Sequence, residues 1–398
     1  MLITTDEIDA AVVALTGVMR RTPMVASRVL SERVDCDVWV KCENLQRTGS
    51  FKPRGAYLRI SRLSSEERAR GVVAASAGNH AQGVAWSASR LGITSRVYMP
   101  VGAALPKIAA TRAYGAEVEL FGSTIDEALI EARAFADRTG AVLIHPFDHR
   151  DIVAGQASVG VEILQQMPEV TTIVVPLGGG GLLAGIAAAV KPRRPDIRII
   201  GVQAAQAAAW PDSLRIGAPT AAREMSTMAD GIAVAMPGEV PFAHIRELVD
   251  DVVTVSEDAL STALLLMLER AKLLVEPAGA AGVAAVMSGL IEASGQVCVV
   301  ASGGNIDPLV LSHVTTSGLT AAGRFLTVTA TIPDRPGGLI SLLELLRGQG
   351  ASVVDVVHSR VAEGLALGEV QVTVSAETRG PDHQVAVRAA LATAGFVR

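Results

Sequence analysis

A lysine at a predicted loop-to-helix junction is the first residue that could do chemistry. Lys52 lies in residues 41–57, KCENLQRTGSFKPRGAY, directly after the aromatic residue Phe51. Lysine is a nucleophile only when it is deprotonated, and burial or cationic neighbours lower its pKa towards neutrality. Lys52 is therefore a candidate for an amine that forms a Schiff base with an aldehyde cofactor. For an isolated lysine, a solvated position at the start of a helix would be the simpler interpretation.

Three further loops follow apolar, strand-like runs, and the first of them is SAGNHAQG, residues 76–83. Its small residues let backbone N–H groups converge at the start of the next helix, which suits a carboxylate. Asn79 offers both a donor and an acceptor and could bond a phenolate oxygen on a cofactor ring. An ordinary N-cap turn is an equally good interpretation of this loop alone, and His80 by itself is a weak catalytic candidate.

The second loop is GGGGLLAG, residues 178–185, after the run TIVVPL. Four consecutive glycines leave no side chains between the backbone N–H groups and a ligand, and the N-terminus of the following helix favours an anion. The pattern predicts a phosphate cradle, although it is neither a G-x-G-x-x-G dinucleotide motif nor a loop with a Walker lysine. A flexible turn is the weaker alternative, because four glycines at a helix start carry a large entropy cost.

The third loop is SGGNI, residues 302–306, after the run VCVVA. A hydroxyl here could bond the nitrogen of a cofactor ring. Unlike a carboxylate, Ser302 would leave that nitrogen unprotonated, and a neutral pyridine is a weaker electron sink that favours elimination. Another turn is at least as good an interpretation of this loop taken alone.

A sheet must position these loops, because apolar strand-like runs alternate with helical segments from residue 72 onward. Strands that are apolar throughout and separated by helices predict an α/β fold with mainly parallel sheets covered on both faces. Residues 142–146, VLIHP, read as one of these strands. Ligands lie at the carboxyl ends of such strands, where the loops after Ala75, Leu177 and Ala301 meet.

Taken together, SFKPRGA, SAGNHAQG, PLGGGGLLAG and ASGGN resemble the pyridoxal-phosphate enzymes of fold type II, the tryptophan-synthase-β-like group. Within that group they are most similar to the threonine dehydratases (threonine ammonia-lyases), whose pattern also matches DGIAV at 230–234 and VEPAGA at 275–280. The resemblance covers roughly residues 4–311. It implies a two-lobed catalytic unit, with a smaller inserted lobe at about residues 50–150.

The resemblance also implies a role for each matched residue. Lys52 would hold pyridoxal 5′-phosphate, Phe51 would pack against its ring and Asn79 would bond its 3′-oxygen. Ser302 would face the pyridine nitrogen, and Glu276 would lie behind the residues that contact the cofactor. The phosphate would lie against the loop formed by Gly178, Gly179, Gly180, Gly181 and Leu182. The substrate carboxylate would lie against the loop formed by Ser76, Ala77, Gly78, Asn79 and His80.

The implied reaction is β-elimination of L-threonine to 2-oxobutanoate and ammonia, as in isoleucine biosynthesis or threonine catabolism. Lys52 would remove the Cα proton while the cofactor delocalises the charge, and the cofactor phosphate would help the β-hydroxyl to leave. Elimination from L-serine to pyruvate, or by another enzyme of the fold, is the enzymatic alternative. An amino-acid-sensing protein with an inactive catalytic half is the non-enzymatic alternative, and an intact Lys52 argues against it.

Two departures from the serine racemases of this fold bear on whether the chain racemises its substrate and whether it binds a divalent metal. Those enzymes carry a second serine, the opposite-face base, where this chain has Ala77, so racemisation is disfavoured. Their divalent-metal site uses a glutamate where this chain has Gln203. Cys36, Cys42 and Cys298 show no metal-ligand spacing. We therefore expect no metal site.

The last segment, residues 325–398, reads as strand, helix, strand, strand and helix, and IPDRPGG makes a tight bend into the first helix. It resembles the ferredoxin-like (α+β) ACT regulatory domain, which binds amino acids at its Pro-Gly bend and usually pairs with a second copy. The resemblance implies an effector, isoleucine or valine, at a site formed by Asp334, Pro336, Gly337 and Gly338. The alternative is a stabilising or dimerising appendage without a ligand.

The boundaries of this tail are also expectations. Residues 312–324, rich in Ser, Thr, Gly and Ala, read as a linker, which leaves residues 1–311 for the catalytic domain. The last strand of an ACT fold would have to start at Phe396, so we expect that strand to be missing or supplied by something else.

Composition excludes several classes of function. The formal charge of −5 with 19% charged residues gives no polybasic surface for nucleic acid or anionic lipid. Mean hydropathy is high, at +0.38, yet charge or glycine breaks every long apolar run before it could span a bilayer. An acidic N-terminus and an odd cysteine count fit a cytoplasmic protein. We expect a homo-oligomer, a dimer or a tetramer, that acts on a small amino acid.

Overall fold

The computed structural model describes residues 2–292, 294–362 and 364–397. The chain divides into two compact units, residues 1–308 and 309–398. Within the described residues, no helix combines the length and the apolar character needed to cross a membrane.

The larger sheet of the first unit has six strands in the order β1-β2-β10-β7-β8-β9. All neighbouring strands are parallel except β1 and β2, which are antiparallel. Its central strands are buried along almost their whole length, as expected for a parallel sheet that helices cover on both faces. The strands are β1 (Met24–Ala26), β2 (Asp37–Cys42), β7 (Val170–Pro176), β8 (Arg198–Ala204), β9 (Asp251–Val255) and β10 (Gln296–Ala301).

Eight helices accompany this sheet in the described residues: α1 (Thr5–Leu15), α2 (Arg28–Val34), α8 (Arg150–Gln166), α9 (Gly181–Val190), α10 (Trp210–Ile216), α11 (Glu239–Leu248), α12 (Glu257–Leu266) and α13 (Pro277–Met287). Two of them pack unusually closely, because a Cβ on Gly185 of α9 would lie 2.6 Å from the carbonyl oxygen of Val153 in α8. A Cβ on Gly155 would similarly lie 2.6 Å from the carbonyl oxygen of Arg54. Glycine therefore brings α8 against both α9 and the segment that carries Lys52.

The smaller sheet has four parallel strands in the order β5-β4-β3-β6: β3 (Val72–Ala75), β4 (Ser95–Met99), β5 (Glu117–Leu120) and β6 (Val142–Leu143). It is accompanied by helices α3 (Lys52–Ser61), α4 (Ser65–Arg70), α5 (Asn79–Arg90), α6 (Leu105–Ala113) and α7 (Ile125–Thr139). All these elements lie within residues 50–150. The strand expected over residues 142–146 ends at Leu143, and the following residues form an irregular loop that reaches the site.

The second unit begins with a helix, α14 (Pro308–Ala321). The expected linker over residues 312–324 is therefore mostly helical, and the boundary between the two units falls at Pro308 rather than at residue 311. Its Ser, Thr and Gly content suggested a loop, but three of its threonine hydroxyls bond carbonyl oxygens four residues earlier and so fit inside a helix.

An antiparallel sheet follows, in the order β11-β13-β12, with two further helices. The elements are β11 (Phe325–Pro333), α15 (Gly338–Gly348), β12 (Ser352–Ser359), β13 (Glu369–Glu377) and α16 (Pro381–Thr393). This is the ferredoxin-like order through its second helix. Near residue 396, where a fourth strand was expected to start, the carbonyl oxygen of Phe396 accepts a hydrogen bond of 2.8 Å from the N–H of Thr331 in β11.

Candidate active site

Lys52 opens α3, and two contacts fix the loop before that helix. The N–H of Phe51 donates to the carbonyl oxygen of Ser302 (3.1 Å), and Ser50 forms a β-bridge with Gly303. The loop that carries the lysine is therefore joined to the loop after β10. Phe51 and Ser302 are 251 residues apart in sequence, yet their segments form one wall of the site.

The Lys52 side chain is held between an aromatic ring and a carbonyl group. Its Nζ lies 5.1 Å from the centre of the Phe51 ring and donates to the carbonyl oxygen of Pro146 at 3.1 Å. Burial lowers the pKa of Lys52 to about 8, although the Glu276 carboxyl opposes that shift. Most of this amine is still protonated near neutral pH, but the neutral fraction that a nucleophile or a base requires is far larger than in a free lysine.

A buried ionic cluster anchors α3 from below. The Arg54 guanidinium makes two hydrogen bonds of 2.8 Å to the Glu43 carboxylate and one of 2.7 Å to Glu162. Glu162 also pairs with Lys41 at 2.5 Å. Two positive and two negative charges thus balance one another in the interior, two residues away from Lys52. Paired in this way, the groups avoid the cost of an isolated buried charge.

Asn79, the first residue of α5, connects two other parts of the site. Its Nδ2 donates to the Glu276 carboxyl at 2.6 Å, and its Oδ1 accepts from Asn305 Nδ2 at 2.8 Å. Burial, followed by the charge of Asp230, raises the pKa of Glu276 to about 7. The sequence interpretation placed Glu276 behind the site but gave Asn305 no role. The position of Asn305 inside SGGNI was the signal in the sequence that could have indicated a role for it.

The loop predicted to bind the substrate carboxylate leads into α5. Ser76, Ala77 and Gly78 are half-buried, and a Cβ on Gly78 would meet open space. The N–H groups of Asn79 and His80 open the helix, which itself offers them no acceptor. The His80 ring is committed elsewhere: it bonds the carbonyl oxygen of Ile144 at 2.7 Å, and burial lowers its pKa to about 3. His80 is therefore neutral and donates to that carbonyl.

The glycine loop lies between β7 and α9, and its glycines serve packing as well as a ligand. A Cβ on Gly179 would overlap the Phe147 ring, and one on Gly180 would lie 2.5 Å from the Trp210 ring. The indole N–H of Trp210 donates to the carbonyl oxygen of Gly178 at 2.6 Å. The sequence interpretation considered only access for the ligand. The structure adds that neighbouring rings occupy the places where side chains would lie.

Phe147 follows Pro146, the residue that accepts the hydrogen bond from Lys52. Its side chain lies against both Gly179 and Gly181. The HPFD loop, residues 145–148, therefore links the lysine with the phosphate cradle. Sequence interpretation missed this loop because it extended the strand through Pro146.

No group of three or more His, Cys, Asp or Glu side chains that could hold a metal ion occurs in residues 2–292, 294–362 and 364–397. Gln203 is buried and bonded within the protein. Its Oε1 accepts from the N–H of Trp210 at 2.9 Å, and its Nε2 donates to the carbonyl oxygen of Ala207 at 3.3 Å. The amide thus fastens α10, which carries the indole that bonds Gly178.

The residues present fit a phosphorylated aldehyde ring. The cradle supplies the N–H groups of Gly181 and Leu182 at the start of α9, where the helix offers them no acceptor and favours an anion. Lys52 provides a buried amine of lowered pKa, and Asn79 provides an amide beside it. Ser302, at the end of β10 and 4% exposed, is joined to the residue before the lysine.

This arrangement defines a cofactor-dependent enzyme of the α/β class, and comparison with known proteins identifies its family. Residues 15–303 match the pyridoxal-phosphate dependent enzymes. The chain is 42% identical to the L-threonine ammonia-lyase of Thermotoga maritima over 395 residues, which cover 99% of this chain and 98% of that protein. The chain belongs to the family of pyridoxal-phosphate dependent enzymes, and pyridoxal phosphate is its cofactor.

Solved structures agree on the fold. Maize serine racemase superposes with a TM-score of 0.76 at 33% identity, covering 80% of this chain and 99% of that one. The processed form of threonine deaminase isoform 2 from Solanum lycopersicum gives 0.74 at 36% identity, covering 79% of this chain and 94% of that one. The expected fold type II is therefore confirmed, with mostly parallel sheets and a small C-terminal unit built on an antiparallel sheet.

Proposed function

We propose that the chain is an L-threonine ammonia-lyase, which converts L-threonine to 2-oxobutanoate and ammonia. The observation that carries the proposal is the buried Lys52 amine, which the carbonyl oxygen of Pro146 holds and whose pKa responds to Glu276, the partner of Asn79. The name of the full-length Thermotoga relative supports the choice of substrate. Lys52 would bind the cofactor, Phe51 would pack against its ring, and the cradle of Gly178–Gly181 with Leu182 would hold its phosphate.

The substrate would be oriented by its carboxylate. The N–H groups of the loop from Ser76 to His80, at the start of α5, would bond that carboxylate, so that the Cα–H bond faces Lys52. Asn79 would bond the 3′-oxygen of the cofactor, and Ser302 would face its ring nitrogen without protonating it. The bound cofactor supplies an electron-withdrawing ring that stabilises negative charge at Cα.

Proton transfer is the task of Lys52. The neutral Lys52 amine would take the Cα proton of the bound substrate. Its lowered pKa lets it lose its proton more readily than a free lysine does, and the carbonyl of Pro146 holds the amine in place. The β-hydroxyl leaves as water. The released aminocrotonate would tautomerise and exchange its nitrogen for the oxygen of a water molecule, giving ammonia and 2-oxobutanoate.

Serine is the alternative substrate, and elimination from it would give pyruvate. The test is steady-state kinetics of the purified protein with L-threonine and L-serine, with chiral analysis of the remaining amino acid. We expect kcat/KM to be higher for L-threonine and no D-amino acid to form, because Ala77 supplies no second base. A preference for L-serine would assign the protein as a serine dehydratase. Formation of D-serine would overturn the role given to Ala77.

We also propose that the second unit is an ACT regulatory domain. The bend before α15 is tight, because Gly337 has φ +96° and a Cβ on Gly338 would overlap the carbonyl oxygen of Pro333. Asp334 pairs with Arg360 at the end of β12 (3.1 Å), and this hydrogen bond lowers the pKa of its carboxyl. An amino-acid effector would bind at the bend formed by Asp334, Pro336, Gly337 and Gly338, and the protein would be a cytoplasmic homo-oligomer.

Isoleucine and valine are the effectors to test, by recording the threonine saturation curve with and without each. We expect a shift of the curve that Asp334→Ala abolishes and that Asp382→Ala, an exposed control in α16, retains. If neither amino acid moves the curve of the wild-type protein, the tail is not regulated by them. A stabilising appendage would then be the better description.

A further inference from the structure

We infer that Asn305 is a positioning residue, which fixes the side-chain amide of Asn79 so that one of its N–H groups faces the cofactor. The inference rests on the placement of Asn79 beside the 3′-oxygen of pyridoxal phosphate. The chain contains only three asparagines, Asn44, Asn79 and Asn305. All three lie beside the loop of residues 302–305.

The orientation of Asn305 follows from a backbone group that can only accept. Its Nδ2 lies 2.6 Å from the carbonyl oxygen of Thr48 and 2.8 Å from Asn79 Oδ1. An amide nitrogen has two N–H groups, and these two contacts use both of them. The Oδ1 of Asn305 lies where a Cβ on Gly49 would be, and glycine, with φ +74°, leaves that space. Asn305 is thus held in one orientation.

The orientation of Asn79 then follows from that of Asn305. Its Oδ1 must accept from Asn305, so its Nδ2 faces Glu276, to which it donates at 2.6 Å. Turning the amide round would place two N–H donors against each other at Asn305, so the contact with Asn305 fixes the orientation. The second N–H of Asn79 Nδ2 therefore remains available for the 3′-oxygen of the cofactor, where a donor favours the ionised oxygen.

The site gives these side chains little room to rearrange. A Cβ on Gly303 would overlap the carboxyl of Glu276 and lie 3.1 Å from Asn79 Nδ2. Asn44, an asparagine that packs against the same loop, provides a matched control for substitutions of Asn305. Its Nδ2 donates to the carbonyl oxygen of Leu274 at 3.0 Å, and its Cβ lies 3.2 Å from the position of a Cβ on Gly304. Asn44 supports the loop without bonding Asn79.

The test is the pH titration of the visible absorption band of the holoenzyme, with the affinity for pyridoxal phosphate as a second measurement. Asn305→Asp supplies an acceptor, which would attract Asn79 Nδ2 and turn its oxygen towards the cofactor. We expect Asn305→Asp to raise the midpoint of the titration by about one pH unit, because a hydrogen bond to a charged group is lost. The midpoint should then lie close to that of Asn79→Ala. Asn305→Ala should shift it less.

The controls separate positioning from a structural role. Asn44→Ala should lower the urea midpoint but leave the titration where it is in the wild-type protein. If Asn305→Asp titrates like the wild-type enzyme while Asn79→Ala is shifted, Asn305 does not position the amide and the inference is overturned. If Asn79→Ala is not shifted either, Asn79 does not bond the 3′-oxygen and the premise fails. Equal shifts in Asn44→Ala and Asn305→Asp would also overturn the inference.

Discussion

Lys52 donates a hydrogen bond of 3.1 Å to the main-chain carbonyl of Pro146, whose neighbour Phe147 packs against Gly179 in the glycine loop. One short loop thus bonds the Lys52 amine and packs against the glycine loop. A carbonyl oxygen carries no full charge, so it offsets little of the cost of burying an ammonium group. Burial therefore dominates and lowers the pKa of Lys52 to about 8.

The first prediction concerns the rate at which pyridoxal phosphate attaches to the apoenzyme. Only the neutral amine reacts, so the rate should rise with pH and level off above about pH 8. Below that pH it should fall about tenfold per unit. Stopped-flow absorbance at a series of pH values measures it, with Nα-acetyl-lysine as the unburied reference. A rate that keeps rising towards pH 10, as for the reference, would contradict the effect of burial.

The second prediction concerns the glycine loop. Gly179→Ala would place a Cβ inside the Phe147 ring, so the HPFD loop and the cradle would have to move apart. We expect a loss of affinity for pyridoxal phosphate of at least about tenfold, measured by fluorescence titration of the apoenzyme. Gly102→Ala, where a Cβ meets open space, is the control and should bind normally. Normal binding by Gly179→Ala would show that the loop tolerates a side chain.

The third prediction concerns the buried ionic cluster. Arg54→Met would take the guanidinium partner away from the buried Glu43 and one of two cations away from Glu162, and should lower the free energy of unfolding by about 3–5 kcal/mol. Arg194→Met removes an exposed pair with Asp196 and should lower the free energy of unfolding far less. Urea unfolding followed by fluorescence compares the two variants. Equal losses would mean that the cluster is solvated and does not anchor α3.

The fourth prediction concerns the pH dependence of stability. Folding raises the pKa of Glu276 to about 7 from its usual 4.5, so the folded state keeps a proton that the unfolded chain releases. Glu276 should therefore lower the stability by up to about 3 kcal/mol as the pH rises from about 4.5 to about 7, whereas the buried His80, whose pKa is lowered, acts in the opposite direction. Glu276→Gln should lack this loss.

Urea unfolding of the apoprotein at about pH 5.5 and about pH 7.5 measures the change in stability, and between these two values the wild-type protein should lose stability relative to Glu276→Gln. Glu239→Gln, an exposed carboxylate of α11, is the control and should behave like the wild type. If stability changes equally with pH in all three proteins, Glu276 ionises normally.

Much of the site could be predicted because it follows a rule of topology. In a parallel sheet the loops after the strands lie at one edge, so the glycine loop after β7 and Ser302 after β10 were expected together. Asn79 follows β3 of the smaller sheet, and its hydrogen bond with Asn305 joins it to the loop that contains Ser302. A lysine after an aromatic residue became informative only beside those loops. The pattern of apolar runs was sufficient to locate the loops that follow the strands.

The rest could not be predicted because it depends on contacts between segments far apart in sequence. The strand VLIHP ends at Leu143, since Pro146 and Phe147 turn towards Lys52 and the glycine loop rather than continuing the sheet. The bond between Asn305 and Asn79 spans 226 residues and leaves no periodic signal. The composition of the segment before residue 325 likewise suggested a linker, and the structure shows helix α14 there.

The most direct test is the visible spectrum of the purified protein before and after addition of L-threonine, beside a Lys52→Ala variant. The wild-type protein should show the yellow band of a cofactor bound through a lysine, L-threonine should perturb that band, and 2-oxobutanoate should accumulate. The variant should lack both the band and the product. A wild-type band that only L-serine perturbs would contradict the choice of substrate. Absence of any band after incubation with pyridoxal phosphate, or full activity of Lys52→Ala, would contradict the central role of Lys52.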